Sequence, residues 1–181
     1  MAARGATATV GAPTVRPARA PALWLALAAL CALLIGCANP DQIPPGTAAA
    51  DVVHTLGAPT GRYPLPDGGE RLQYSRQPAG QQVFNVDLDA QGRVARVEQA
   101  LNETLFAQRI QPDRWTQDDV LREYGRPAQT MGVRNFKGVI WVWRYADGPV
   151  WRLLYIDIDP GGVVRHYSVG DESLPDPPDP R

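Results

Sequence analysis

DVVHTLGAP, residues 51–59, and DVLREYGRP, residues 119–127, are nearly the same nine residues written twice, 68 positions apart. In both, apolar side chains recur at helical spacing, a glycine follows the last of them, and a proline stands two residues beyond. Glycine supplies the left-handed residue that ends a helix, and proline stops it resuming. Each copy therefore predicts a short amphipathic helix with a marked end. In the first, Thr47 is the expected N-cap and Ala49, Val52, Val53 and Leu56 form the apolar face. In the second, Thr116-Gln117-Asp118-Asp119 reads as a capping box, with Val120, Leu121 and Tyr124 as the stripe. A further short helix over 103–109, with Asn102 as cap and Leu105, Phe106 and Ile110 along its edge, is expected to lead the second copy.

The correspondence continues downstream. Leu72-Gln73-Tyr74 answers Trp143-Arg144-Tyr145, residues 84–89 answer 154–159, and Gly92-Arg93-Val94 answers Gly162-Val163-Val164, so that all matches fall at offsets of 68 to 71. Period-two alternation in these runs predicts half-buried strands, and Asp-Ala-Gln-Gly and Asp-Pro-Gly-Gly predict hairpin turns. Four segments kept in order at one spacing indicate a duplication. The expected fold is α+β: two tandem ααβββ units, 46–100 and 101–170, each with short helices packed on one face of a three-stranded antiparallel sheet. The acidic, proline-laden stretch 171–181 cannot bury a core and is expected to be disordered.

The first 36 residues stand apart. Arg4, Arg16 and Arg19 are their only charges, and an apolar run follows from Ala22 to Ile35. That run suits a signal-peptide core and is shorter than the roughly 20 residues a membrane span needs. It ends in Leu34-Ile35-Gly36-Cys37, which resembles the lipobox of bacterial lipoproteins. The resemblance implies cleavage between Gly36 and Cys37 and a covalent lipid such as palmitate on the Cys37 thiol. Each buried methylene of such a chain contributes about 0.8 kcal/mol to membrane attachment. Ala38, where an Asp would signal retention in the inner membrane, implies the outer membrane, with the protein facing the periplasm. Residues 37–45 then read as a lipidated tether. Cys31 leaves with the signal, so no thiol remains for a disulfide or a redox pair. Loss of the three arginines leaves 15 basic against 19 acidic residues, a charge of −4. No basic block is present, so nucleic acid is not an expected partner, and the membrane is expected to be met through the N-terminal lipid alone.

Taken together, the lipobox, Pro-Gly-Thr followed by Val-x3-Leu-Gly-x-Pro-Thr, a W-x-Y strand and a V-D-x-D-x-x-G hairpin resemble the SmpA/OmlA (BamE-like) lipoprotein domain family. The residues that carry the likeness are Gly46, Thr47, Val52, Leu56, Gly57, Pro59 and Thr60 in the first unit. In the second they are Thr116, Val120, Tyr124, Gly125, Pro127, Trp143 and Tyr145. The family implies an accessory role in outer-membrane protein assembly, with envelope proteins as partners. The tandem arrangement is similar to that of the β-lactamase inhibitor proteins, which implies the alternative of an inhibitor or sequestering module gripping an enzyme in a saddle. This chain carries two units where the assembly factor has one.

Catalysis is not expected. His54 and His166 are the only histidines, and no nucleophile elbow, phosphate loop or metal-spaced cluster appears. Asp87/Asp89 and Asp157/Asp159 could be read as calcium ligands, but two carboxylates fall well short of about six oxygens. Asp89 and Asp159 are better read as turn formers, and no metal or other cofactor is expected. The strands IWVWRY (140–145) and WRLLYIDI (151–158) are the informative feature. Alternation places Trp141, Trp143 and Tyr145 on one face and Ile140, Val142 and Arg144 on the other. Trp151, Leu153 and Tyr155 oppose Leu154, Ile156 and Ile158 in the same way. Both faces are largely apolar, and the unit's own helices can cover one. Either the other unit packs on the second face, or Ile140, Val142, Arg144, Trp151, Leu153 and Tyr155 form a protein-binding patch.

Overall fold

The computed structural model describes residues 39–173. The expected signal peptide, the expected cleavage and lipidation site at Gly36–Cys37, and positions 174–181 lie outside the described residues. The described residues belong to one compact unit. Its elements are a 3-10 turn at Pro40–Gln42, α1 (Ala49–Leu56), β1 (Gly61–Pro64), β2 (Glu70–Ser75), β3 (Val83–Leu88), β4 (Val94–Gln99), α2 (Glu103–Arg109), α3 (Gln117–Tyr124), β5 (Gln129–Val133), β6 (Phe136–Asp147), β7 (Val150–Ile158) and β8 (Val164–Asp171). The strands make two antiparallel meanders, β1-β2-β3-β4 (sheet 1) and β5-β6-β7-β8 (sheet 2).

This corrects the expected α+β fold of two ααβββ units: the described residues are mostly β, with four strands in each sheet, three short α-helices in all and a single α-helix before sheet 1. The strands that sequence reading missed are β1 and β5. GRYP and QTMGV show no apolar alternation, and both stand at sheet edges, where one pairing partner suffices. Pro64 is tolerated at the end of β1 because an edge position needs no ladder donor there. Val133 turns into Phe136 through Arg134-Asn135, so the chain that follows α3 enters a β5–β6 hairpin.

The backbone repeats more faithfully than the sequence does. The residue before α1, Ala48, bridges Arg93, and the residue before α3, Thr116, bridges Val163. Asp89 N donates to Arg93 O and Asp159 N to Val163 O, each at 2.9 Å or less. Both β3 and β7 carry an irregularity after the first aspartate, between Asp87 and Leu88 and between Asp157 and Ile158. A Cβ on Gly69 would lie 2.0 Å from the Leu88 carbonyl oxygen, and one on Gly138 would lie 2.0 Å from that of Ile158. Only glycine allows that approach.

Helix ends follow the local code. Asn102 accepts from the backbone of Thr104 and Leu105, and Thr116 with Asp119 closes the capping box. Burial pushes the Asp119 carboxyl up, but its bonds from Thr116 and Arg122 outweigh this and lower it. Thr47 is not a cap: Ala48 holds that position, and the Thr47 hydroxyl donates to Pro44 O at 2.7 Å. Nor are residues 39–45 a free tether. Pro40 is buried, Ile43 packs on the first core, and Gly46 N donates to Val94 O at 2.7 Å. At the other end β8 runs through Asp171, and Glu172 N donates to Trp151 O, so positions 171 and 172, expected as the start of a disordered tail, are part of the sheet and its edge.

Two hydrophobic cores result. Val52 of α1 packs with Leu72, Tyr74, Phe84, Val86 and Leu88 on the front of sheet 1. Phe106, Val120 and Tyr124 of α2 and α3 pack with Trp143, Tyr145, Leu154, Ile156 and Ile158 on the front of sheet 2. The Trp143 indole donates to Tyr124 O at 3.0 Å, which ties the strand to the end of α3.

The same end of α3 lies against the back of sheet 1. Gln73 Nε2 donates to Leu121 O and Arg122 O, and Asn85 Nδ2 to Glu123 O at 2.9 Å. A helix leaves its last carbonyls unpaired, and here side-chain donors of sheet 1 satisfy them. Gly125, in the left-handed region at φ 68°, also makes room: a Cβ there would meet Gln73 Oε1 at 2.7 Å. The layers are therefore α1, sheet 1, the α2/α3 pair and sheet 2, in that order.

A candidate protein-binding face on the second sheet

The first half of the chain covers the helices of the second, not the back of sheet 2. That leaves the back of sheet 2 as the outermost layer. Register places all six candidates there: Ile140 opposite Asp157, Val142 opposite Tyr155, Arg144 opposite Leu153, and Trp151 opposite Ala146. Met131 of β5 joins them beside Ile140. Trp151 and Met131 are 43% and 41% exposed, while Ile140, Leu153 and Tyr155 are half-buried. Val142 is fully buried in the middle of the sheet and offers nothing to a partner.

One corner of this face is occupied by the loop between β2 and β3. Ala128 N donates to Val142 O, and the ladder on that side of β6 then runs out. The Gln77 side chain continues it: its Nε2 donates to Arg144 O at 2.6 Å and its Oε1 accepts from Arg144 N at 3.3 Å. The Arg144 guanidinium is held from three directions, by Glu172 Oε1 at 2.6 Å, by Pro78 O at 3.0 Å, and by the Trp151 ring 5.7 Å away. Trp151 is thereby fixed on one side and open on the other. Gly170 stands opposite Leu153 on β8, and the Tyr155 ring comes within 3.4 Å of where a Cβ of Gly170 would be. Two hollows of about 420 and 360 Å³ border this corner and share Asp171 and Glu172; Tyr155 and Leu153 line the first, Trp151 and Pro149 the second. Sequence reading found the aromatic residues of the face. It missed Gln77, Pro78 and Glu172, which carry no motif and act through partners 28 to 67 residues away.

The back of sheet 1 is built differently. Arg71 bonds Asp87 at 2.7 Å and Glu123 at 2.6 Å, Arg109 bonds Glu123 and Glu98, and Arg96 bonds Glu98 at 3.2 Å and Asp87 at 3.3 Å. Three arginines and three carboxylates so alternate in a closed ring that joins β2, β3 and β4 to α2 and α3. Burial works against the Arg71 charge, but Asp87 and Glu123 overcome it and raise its pKa. The Arg109 guanidinium is raised as well, chiefly by its bond to Glu98. Asp87, one member of the first paired-aspartate motif, thus serves an ion pair. Asp89 Oδ1 accepts from the backbone of Gln91 and Arg93, and Asp159 Oδ1 from that of Val163, as turn formers do. His54 is exposed, and His166 lies 3.8 Å from Asp157 on an exposed part of β8. Among the described residues, no group of three or more His, Cys, Asp or Glu side chains is placed to hold a metal ion.

No protein-family model matches the chain, and no curated protein matches it. Among solved structures it is similar to a DUF4309 family protein (YjgB) from Bacillus subtilis subsp. subtilis str. 168, at 13% identity over 69% of this chain and 78% of that one, with a TM-score of 0.29. A likeness that weak carries no argument about fold or role.

Proposed function

We propose that this chain is a BamE-like lipoprotein, anchored to the outer membrane by lipid on Cys37, that binds a protein partner in the periplasm as an accessory or scaffold in envelope protein assembly. The observation that carries the reading is the open back of sheet 2, where Trp151, Tyr155, Leu153 and Ile140 line the outermost layer. Aromatic residues on a fixed frame are what protein interfaces concentrate, and Trp151 is held in place by Arg144 before any partner arrives. The lipobox at 34–37 and the sequence resemblance in both halves support the anchor and the setting. The inhibitor reading draws on one observation, that the larger hollow takes Pro78 from the first half and Tyr155 from the second.

Site-directed photocrosslinking in intact cells from position 131 or 151, followed by identification of the adduct, tests this. An envelope-assembly protein captured in stoichiometric amount is the expected result. A periplasmic hydrolase would favour the inhibitor reading, and no polypeptide adduct from either position would end both. Separately, Cys37→Ser is expected to move the protein from the membrane to the soluble fraction; unchanged fractionation defeats the anchor.

A further inference from the structure

We infer that a separate hollow beside the end of α3 binds a small amphipathic acid, one that joins an N–H donor and a carboxylate to an apolar body; the inference does not depend on the back of sheet 2. The hollow lies on the back of sheet 1, between β1, the β2–β3 loop and the chain that leaves α3. Its volume is about 450 Å³, within the roughly 300–1,000 Å³ typical of ligand pockets. The walls are mostly apolar, made by Tyr63, Pro78, Leu121 and Pro127. Register sets Gly61 opposite Gln73 and Tyr63 opposite Arg71, so both β1 residues share the face on which Gln73 meets α3.

An acceptor without a donor stands at the floor. Gln73 is 1% exposed, and its Nε2 is spent on Asn85 Oδ1, Leu121 O and Arg122 O. Those three bonds fix which way the amide points. Its Oε1 accepts from no described residue, yet it is not sealed off from the hollow that Gln73 lines. Glycines keep that oxygen clear on two sides: a Cβ on Gly125 would lie 2.7 Å from it, and one on Gly61 3.3 Å. A buried acceptor left unpaired is costly, so the site favours an occupant that donates. The mouth is cationic. Arg122 is taken by Asp119, whereas Arg126 is exposed and has no carboxylate within ion-pair distance among the described residues. None of the residues lining the hollow is acidic. Tyr63 Oη lies 3.1 Å from the same Gly61 Cβ position and bonds no described residue, so it too can donate to an anion. Acceptor inside, apolar walls and cation outside together select a donor, an apolar body and a carboxylate in that order.

The test is titration of the isotope-labelled intact chain with N-acetyl-L-leucine, followed by NMR. Saturable shifts of the Gly61, Gly125 and Arg126 amide signals are expected. Two analogues accompany it: N-methylation removes the donor meant for Gln73 Oε1, and the methyl ester removes the charge meant for Arg126. Each is expected to bind about tenfold more weakly. Arg126→Ala is expected to weaken the acid about tenfold, to leave the ester unchanged and to keep the melting temperature, since the side chain is exposed; Arg126→Lys restores most of the loss. Tyr63→Phe, which removes only the hydroxyl, is expected to weaken the acid roughly threefold. A hollow that holds water alone gives no saturable shift, and that result overturns the inference. So do shifts centred elsewhere, equal binding of the three compounds, or an unchanged affinity in Arg126→Ala that melts normally. Crosslinking from positions 131 and 151 reads the back of sheet 2 separately, so failure here leaves the protein-binding reading standing, and failure there leaves this site standing.

Discussion

Arg71, Gln73 and Asn85 on the back of sheet 1 hold the positions that Val142, Arg144 and Tyr155 hold on the back of sheet 2. The polar set is buried, at 6%, 1% and 1% exposure, and the more apolar face is the outermost layer. Composition alone would have placed them the other way round. The difference shows that a sheet face is buried when its groups are matched, not merely when they are greasy. The first copy offers donors at the spacing of the α3 carbonyls and carboxylates for Arg109, and those partners are what lie against it. The second copy offers no such set of donors to a helix end, and among the described residues the β2–β3 loop covers only one corner of it. The two halves thus differ in one face that holds the layers together and one that the described residues leave largely uncovered.

The sharpest way to break this comparison is to remove Arg71. Arg71→Ala leaves Asp87 and Glu123 short of a cation at a site only 7% exposed, and is expected to cost about 3 kcal/mol, on the order of 10 °C in Tm. Urea unfolding would show it, and a loss under about 1 kcal/mol would mean that the ring does not hold the layers. Gln77→Ala comes next, since two hydrogen bonds to the Arg144 backbone disappear and leave it under-satisfied; about 1–2 kcal/mol is expected. Trp151→Ala, the largest deletion of the set in volume, is expected to change stability by less than about 1 kcal/mol because the ring is half in solvent. A drop of several kcal/mol there would make the back of sheet 2 an internal surface and collapse the contrast.

The smallest effect is in the turn both copies share. Asp159 is held below the usual carboxylate range by the Val163 amide and the Arg165 side chain. A depressed carboxylate stabilises the fold above its unfolded value near 3.9 and loses that contribution as pH falls through the folded value. Wild type and Asp159→Asn should therefore differ at neutral pH and converge below about pH 4, as followed by thermal melts. A gap that persists in acid would show that the charge is irrelevant.

What could be read from the residues was what short-range physics controls. The capping box at Thr116, the Asn102 cap, the glycine stops at Gly57 and Gly125 and the aspartate turns at 89 and 159 all act within a few residues, so each left a local mark. Edge strands β1 and β5 left none, because their pairing needs one neighbour and no alternating pattern. The layer order was equally silent. Arg71, Gln73 and Asn85 look like a solvated face, and only partners 38 to 52 residues away make them interior. Of the candidate face, alternation supplied the six side chains on one side. It did not supply Gln77, Pro78 and Glu172, which decide how much of that side remains open.

Pro40 is seated in the fold, and that fixes how far the body can stray from whatever Cys37 carries. Three peptide links separate the two residues, a reach on the order of 10 Å even at full stretch. A fatty chain at that thiol would hold the protein flush with the lipid, without slack to search the compartment. Partners would have to come to the bilayer to find it, which suits a station for clients already bound for that surface.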